Sequence, residues 1–410
     1  MKILHTGDLH LGKILHETSL LEDQKMMLDR LIEELFREPY VALILAGDIY
    51  DRTIPPAEAV ELFSIFLVQV RTNFPDLVVF IISGNHDSAR RLSFVNKILG
   101  QQHIHIIGDP EESFTPIITV KDGKRLAFFL LPFLLPGSLE PLNTSEDIKK
   151  PPATTIPPEL DFSIEEKDEK LLRSQADLAK EASERFDSIL SQEEYQDIPT
   201  ILVTHLFMTG GEESSSERVF IGTAERVATN LFSKFTYVAL GHLHKRQRVH
   251  DRIWYAGAPL AYAFDEAGAE KSFLRVTIDT EKTGFPITVE PVPVHPLRPV
   301  VRLSGSFDDF YTSSQFEEHA GSYLEITLND KTLVANPMNL LRPKFPFLLS
   351  IRQGIPLDSE SEATAINTAP EKGSNPIEDF CSFQQHLYGS IDEQKKELFV
   401  QLLGDLKNET

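Results

Sequence analysis

Val41-Ala42-Leu43-Ile44-Leu45-Ala46-Gly47-Asp48-Ile49-Tyr50-Asp51-Arg52 is the stretch that decides the fold. Six apolar residues stop on a glycine, and two carboxylates and a guanidinium follow at once. A short apolar run stopped in this way reads as a buried strand, and the polar residues after it as a loop at its carboxyl end. The pattern recurs four times. Ile3-Leu4 precedes Asp8-Leu9-His10, Leu77–Ile82 precedes Gly84-Asn85-His86-Asp87, Ile201–Val203 precedes Thr204-His205, and Tyr237–Leu240 precedes Gly241-His242-Leu243-His244. Helical patterns lie between them at Leu20–Phe36 and Ala57–Val70, the second entered through Pro55-Pro56. Strand, ligand-bearing loop, helix, strand predicts an α/β sheet with its site at the strands' carboxyl ends, and places all five motifs on one edge of one sheet.

Other segments predict a second sheet. Ile117–Val120 and Arg125–Phe129 flank the hairpin signal Lys121-Asp122-Gly123-Lys124, and Ile253–Ala256 and Phe273–Ile278 add strands. The expected architecture is a two-sheet sandwich flanked by helices over residues 1–280. Residues 141–198 form an acidic insertion within it. Its proline-rich first part, 141–162, reads as an extended linker, and Ser163-Ile164-Glu165-Glu166 as a capping box opening a helix that runs to Gln192. Prolines 286, 291, 293, 296 and 299 mark a boundary before a small α+β capping domain, residues 281–352. A polar linker, 353–375, then leads to a C-terminal helical segment, 376–410, with Phe380, Phe383, Leu387, Leu398, Leu402 and Leu403 as apolar points.

Composition narrows the function. Cys381 is the single cysteine of 410 residues, which excludes an internal disulfide framework and a thiolate zinc site. The amino-terminal residues do not read as a signal peptide, and no apolar run approaches the ~20 residues needed to span a bilayer. A cytoplasmic location with no membrane partner is expected. The formal net charge of −22 argues against a large cationic nucleic-acid groove, but it is unevenly spread. Residues 140–198 hold 16 acidic against 7 basic groups, and residues 355–410 hold 11 against 4. Basic groups gather beside the motifs instead: Arg52, Arg90, Arg91, Lys245, Arg246 and Arg248. No Gly-x-x-x-x-Gly-Lys-Ser/Thr loop occurs, so ATP would be handled by another chain.

The five motifs supply oxygen and imidazole donors and no thiol. Each alone has a plain structural reading: Asp8 as a turn residue, Asn85 as an Asx turn, Gly47 and Gly84 as sharp strand exits. In this order, each at a strand end, they predict a site for two neighbouring divalent ions. One ion takes Asp8, His10, Asp48 and His244; the other takes Asp48, Asn85, His205 and His242, with Asp48 bridging. For a mixed O/N donor set Mn²⁺ is the first choice, with Fe, Zn or Mg as alternatives. Two metals flanking a phosphate predict phosphoester hydrolysis by a metal-activated hydroxide. His86, beside a ligand but not needed as one, is the candidate proton donor to the leaving alkoxide. Asp51 is a candidate for orienting the bridge and Arg52 for gripping a phosphate oxygen. Asp87 is a further candidate, and for Asp51, Arg52 and Asp87 alike the plain alternative is that Asp and Arg after a strand cap helices or pair locally.

These motifs resemble the calcineurin-like metallophosphoesterase superfamily and, within it, the SbcD family of nuclease subunits. The narrower likeness rests on Met1–Gly12, the prolines after Arg52, Leu131-Pro132-Phe133, Gly241–Gln247 and Tyr255-Ala256-Gly257-Ala258-Pro259-Leu260-Ala261-Tyr262-Ala263-Phe264-Asp265-Glu266. It covers residues 1–280 closely and the rest only in layout. The resemblance implies a DNA nuclease of repair, replication and recombination, acting as a 3′→5′ exonuclease on duplex ends and an endonuclease on single strands and hairpins. It further implies a homodimer within a heterotetramer with the ATPase SbcC, which the terminal helical segment would dock. A phosphoesterase for small nucleotides or phosphoproteins is the rival reading, and a catalytically dead binding protein is argued against by intact ligands at every position.

Overall fold

The structure, a computed structural model, describes residues 1–140, 172–212, 226–353 and 392–408, together with Ile377, Phe380, Cys381 and Gln384. It divides into two compact units, Met1–Gly354 and Ile355–Thr410.

The strands of the first unit run in chain order as Lys2–Thr6 (β1), Ile14–Leu15 and Thr18–Ser19 (β2, β3), Ala42–Ala46 (β4), Val78–Ile82 (β5), Ile104–Ile107 (β6), Ile117–Lys121 (β7) and Lys124–Leu131 (β8). They continue as Thr200–His205 (β9), Tyr237–Gly241 (β10), Gln247–His250 (β11), Ile253–Tyr255 (β12), Ser272–Ile278 (β13) and Ile287–Pro293 (β14). Two six-stranded sheets result, ordered β14-β13-β1-β4-β5-β6 and β11-β12-β10-β9-β8-β7. Each holds a run of four parallel strands: β1, β4, β5 and β6 in the first, β8, β9, β10 and β12 in the second.

Side-chain alternation explains the layering. In β4, Ala42, Ile44 and Ala46 join a core drawn from both sheets, while Leu43 and Leu45 pack outward against helices Leu21–Arg37 (α1) and Ala57–Asn73 (α2). Phe80 of β5 stacks on Phe128 of β8 across the sandwich, ring centroids 4.1 Å apart. The helix Gln175–Leu190 covers the second sheet's outer face through Leu178, Ala179, Ala182 and Phe186. Each fully buried Leu or Phe in these layers contributes about 1.5–3 kcal/mol.

Several expectations change. The motif-bearing strands do not share one sheet: β1, β4 and β5 lie in the first and β9 and β10 in the second. Conversely β13, expected in the second sheet, pairs antiparallel with β1 in the first. A short apolar run carries no mark of which sheet it joins; long-range packing decides that. The boundary at residue 280 falls inside a hairpin, because β14 pairs with β13 over Ser272↔Pro293 to Ile278↔Ile287. The helix in the acidic segment begins at Gln175, with the Ser174 hydroxyl accepting from the Asp177 N–H; the capping box proposed at Ser163 lies outside the described residues.

The small domain after Pro299 holds Val300–Gly305 (β15), Tyr323–Leu328 (β16) and Leu348–Gln353 (β17) in a three-stranded parallel sheet. Parallel neighbours need crossovers, and the short helices Phe307–Thr312 and Pro337–Leu341 lie on them. The domain is therefore α/β in miniature rather than α+β. Its core is Phe310, Leu324, Ile326, Leu328, Leu341, Phe345 and Leu348. The linker expected over 353–375 lies, after Gln353, outside the described residues. In the second unit the described helix is Glu393–Asn408, and Phe380 stacks on Phe399 with centroids 4.2 Å apart.

Candidate metal centre

The two sheets bring their strand ends together, and the seven expected ligands converge there. Asp8, His10, Asp48 and Asn85 come from the first sheet, His205, His242 and His244 from the second. Asp48 Oδ2 stands 3.6 Å from His10 Nε2 and 3.4 Å from His205 Nε2. Asn85 Oδ1 is 3.0 Å from both His205 Nε2 and His242 Nδ1. His10 Nε2 meets His244 Nε2 at 3.1 Å, and Asp8 Oδ1 lies 3.9 Å from His205 Nδ1.

Placing donors this close strains the backbone. Asp8, His10, Asp48 and His242 all have positive φ, at 53°, 44°, 50° and 99°. Such conformations cost on the order of 1–3 kcal/mol each and persist where the surroundings over-determine them. Two glycines make the approach possible. A Cβ at Gly84 would lie 2.1 Å from Asp48 Oδ1, and one at Gly241 would lie 1.9 Å from the Ala46 carbonyl oxygen.

Hydrogen-bond accounting shows what the pocket fits. His205 Nδ1 donates to the Ala46 carbonyl at 2.8 Å, so its Nε2 turns a lone pair toward the oxygens of Asn85 and Asp48. His244 Nδ1 donates to Glu266 Oε1 at 3.2 Å, so its Nε2 turns a lone pair toward His10. Asp8 Oδ2 is buried without a hydrogen-bond partner. With the rings neutral, lone pairs converge on lone pairs beside an orphaned carboxylate oxygen, an arrangement that suits positive charge between them, a proton on His205 when no metal is bound or divalent ions in its place. The donor set fits divalent ions that accept oxygen and imidazole together.

Two trios of ligand atoms lie within 4.8 Å of one another: His10, Asp48 and His86, and Asp8, Asp48 and His205. Asp48 belongs to both, as a bridge would. Two details depart from the expected allocation. Asp8 clusters with His205 rather than with His10, and His86 stands within ligand distance of the first trio.

Without metal, electrostatics mark the same core. Burial pushes Asp8 up to about 7, against the charges of His205 and His244. Burial holds His10 down to about 4 and His242 down to about 3. It also disfavours the His205 cation, but Asp48 outweighs it and lifts that ring to about 9. Asp48 stays below the usual carboxylate range despite its burial, because His205, His10 and His86 surround it.

The outer contacts assign the remaining candidates. Asp51 lies 3.5 Å from His10 Nδ1 and accepts from Lys13 Nζ at 2.8 Å, so it faces a ligand histidine rather than the bridge. Its main-chain carbonyl faces His86 Nδ1 at 2.8 Å. The Arg52 guanidinium is half-exposed and sits 3.8 Å from Asp51 Oδ2. Asp87 is buried and accepts the N–H groups of Ile49, Tyr50 and Gly84 at 3.1, 2.9 and 3.0 Å, tying the second motif to the third. Burial and the Asp48 charge push it up to about 6, against those three donors.

The sequence motifs missed Glu266, although it closes the Tyr255–Glu266 string. It orients His244 and pairs with Lys271, and although burial opposes it these partners hold it down to about 2. A carboxylate behind a ligand histidine fixes its tautomer and raises its basicity.

A sandwich of two sheets whose strand ends pool carboxylate, amide and imidazole donors is the scaffold of a metal-dependent phosphoester hydrolase. The chain belongs to the calcineurin-like phosphoesterases, whose family model matches residues 1–246. It is similar to SbcD, the nuclease subunit of SbcCD, from Staphylococcus saprophyticus, 30% identical over 355 residues that cover 86% of this chain and 84% of that protein. A solved structure, of a hypothetical protein from Thermus thermophilus, aligns with 72% of this chain and 98% of its own at 12% identity and a TM-score of 0.36. Among the described residues, no helix is long and apolar enough to cross a membrane.

Proposed function

We propose that this chain is a DNA nuclease subunit that hydrolyses phosphodiesters at the Asp48-centred pocket, with two divalent ions, Mn²⁺ first among them. The observation that carries the reading is the place of Asp48, whose Oδ2 stands 3.6 Å from His10 Nε2 and 3.4 Å from His205 Nε2, between the two groups of donors. When bound, the ions supply Lewis acidity and an acidified water as nucleophile. The protein's own groups do the rest. Asp48 holds both donor sets in one place, and its Oδ1 accepts the His86 N–H at 2.9 Å. His86, with Nδ1 committed to the Asp51 carbonyl, carries the proton for the leaving oxygen on Nε2. Asp51 steadies His10, and Arg52 meets a phosphate oxygen at the rim.

The similarity to the SbcD nuclease supports nuclease activity; the finer proposal is a duplex 3′→5′ exonuclease and single-strand or hairpin endonuclease of repair, replication and recombination, in the cytoplasm. It also supports an SbcC-like ATPase as partner. Helix Glu393–Asn408, with Leu398 and Val400 exposed, is the candidate docking element. A homodimer would need an apolar contact face, and Val60, Ile65 and Val68 of α2, like Phe94 and Ile98, are exposed apolar side chains that such a face could use.

The test is Mn²⁺-dependent cleavage of end-labelled duplex and single-stranded DNA, beside p-nitrophenyl phosphate, with and without the ATPase. DNA cleavage that gains ATP dependence on duplex ends is expected. Turnover of p-nitrophenyl phosphate with intact DNA would overturn the nuclease reading.

A further inference from the structure

The first turn of α1 joins two things that the chemistry has not yet linked. Gln24 is fully buried, and its amide is spent on the loop that carries Asp8 and His10. Its Oε1 accepts the Gly12 N–H at 2.9 Å, and its Nε2 donates to the His10 carbonyl at 2.6 Å and the Leu9 carbonyl at 3.3 Å. The Tyr262 hydroxyl donates to the same Leu9 carbonyl. These bonds grip the loop where Asp8, His10 and Gly12 all have positive φ.

The residue before it is held by the small domain. Asp23 Oδ1 accepts the Arg298 N–H at 3.1 Å, and Oδ2 accepts from the Arg298 guanidinium at 3.0 Å and from the Tyr323 hydroxyl at 2.6 Å. Arg298 also reaches Glu22 at 2.7 Å and lies over the Phe347 ring, 4.6 Å from its centroid. Tyr323 begins the central strand of the small three-stranded domain, and Arg298 leads into that domain's first strand. Consecutive residues therefore hold the small domain and the metal-ligand loop.

We propose that Asp23-Gln24 is a positioning link. Gln24 sets His10 over the pocket against its strained backbone, and the grip of Arg298 and Tyr323 on Asp23 keeps Gln24 in register. Seating of the small domain thereby tunes metal affinity. Gln24 touches neither substrate nor ion; it acts through the His10 main chain. A glutamine fits because only an amide supplies both the acceptor for Gly12 and the donors for Leu9 and His10. The inference rests on the metal reading of the pocket and not on the substrate.

The test measures Mn²⁺ stoichiometry and dissociation constants by calorimetry on the full chain. Wild type serves as the control: two ions bound to it preserve the metal reading whatever the variants do. Gln24→Glu keeps shape but loses the donors to His10 and Leu9, and it should weaken binding of one ion about 10–100-fold, the effect of losing an outer-shell partner. Arg298→Ala should weaken the same ion in the same direction. Leu31→Ala, seven residues further along α1 and making no hydrogen bond to the loop, should lower thermal stability and leave the affinity unchanged. Wild-type affinity in either Gln24→Glu or Arg298→Ala, or an equal loss in Leu31→Ala, would overturn the link. Arg298→Ala, with its partly exposed side chain, decides the question if Gln24→Glu does not fold.

Discussion

Replacing Asp87 by Asn should destabilise the nuclease domain without removing a metal ligand. Oδ2 of Asp87 accepts from Ile49 and Gly84, and Oδ1 accepts from Tyr50. An amide oxygen in the Oδ2 place keeps the first two bonds but turns its NH₂ on the Tyr50 N–H. One charge-assisted bond, worth ~1.5–3 kcal/mol, is lost, and a main-chain donor left unsatisfied costs ~1–3 kcal/mol. Burying a neutral amide is easier than burying a carboxylate, which offsets part of this. The net expectation is a loss of about 2–4 kcal/mol. At ~2–4 °C per kcal/mol, the melting temperature should fall by roughly 4–16 °C. The assay is a thermal scan of metal-loaded wild type and variant at pH 8, with metal content measured on both. DNA cleavage should fall with stability, because Asp87 holds the Asp48 and Asn85 loops in register. A shift below ~1 °C with cleavage intact would refute this role, and loss of one ion with no loss of stability would make Asp87 a ligand.

Three further outcomes follow from the same geometry. His86→Ala should keep both ions by elemental analysis and lose ~10²–10⁴-fold in cleavage rate, the range for a general acid; loss of an ion would instead place His86 with His10 and Asp48 as a ligand. Asp48→Asn should weaken both ions together, since a neutral amide bridges two cations poorly, and retention of either at wild-type affinity would confine Asp48 to one site. His5, buried between the sheets with Nδ1 2.8 Å from the Tyr237 hydroxyl, is held down to about 3 by its burial. Unfolded, it takes up a proton near pH 6.5 that the folded protein refuses. Stability should therefore decline as pH falls from about 6.5 toward 3, by up to ~1.4 kcal/mol per pH unit from this group. In metal-loaded protein His5→Asn should flatten the profile of melting temperature against pH, and parallel profiles would remove His5 as the cause.

The sequence alone determined a good deal. Short apolar runs ending on Gly or polar residues marked β1, β4, β5, β9 and β10, because a parallel strand buried on both faces must be apolar throughout. The seven proposed ligands were readable because each follows such a run, where loops at strand ends are the places that present side chains. What chain order could not carry was sheet membership. β9 and β10 look like β4 and β5 in sequence, and only packing puts them in the facing sheet, so that the pocket spans two sheets rather than one edge. The contacts that hold the pocket were equally out of reach. Glu266 behind His244, Asp87 under the Ile49 and Tyr50 N–H groups and Gln24 beneath His10 act across 14 to 38 residues of chain. Their hydrogen bonds exist only once the sandwich has closed. The left-handed backbone at Asp8, His10, Asp48 and His242 is likewise a product of that closure. Residue type argues against it, and the surrounding tertiary contacts hold it in place.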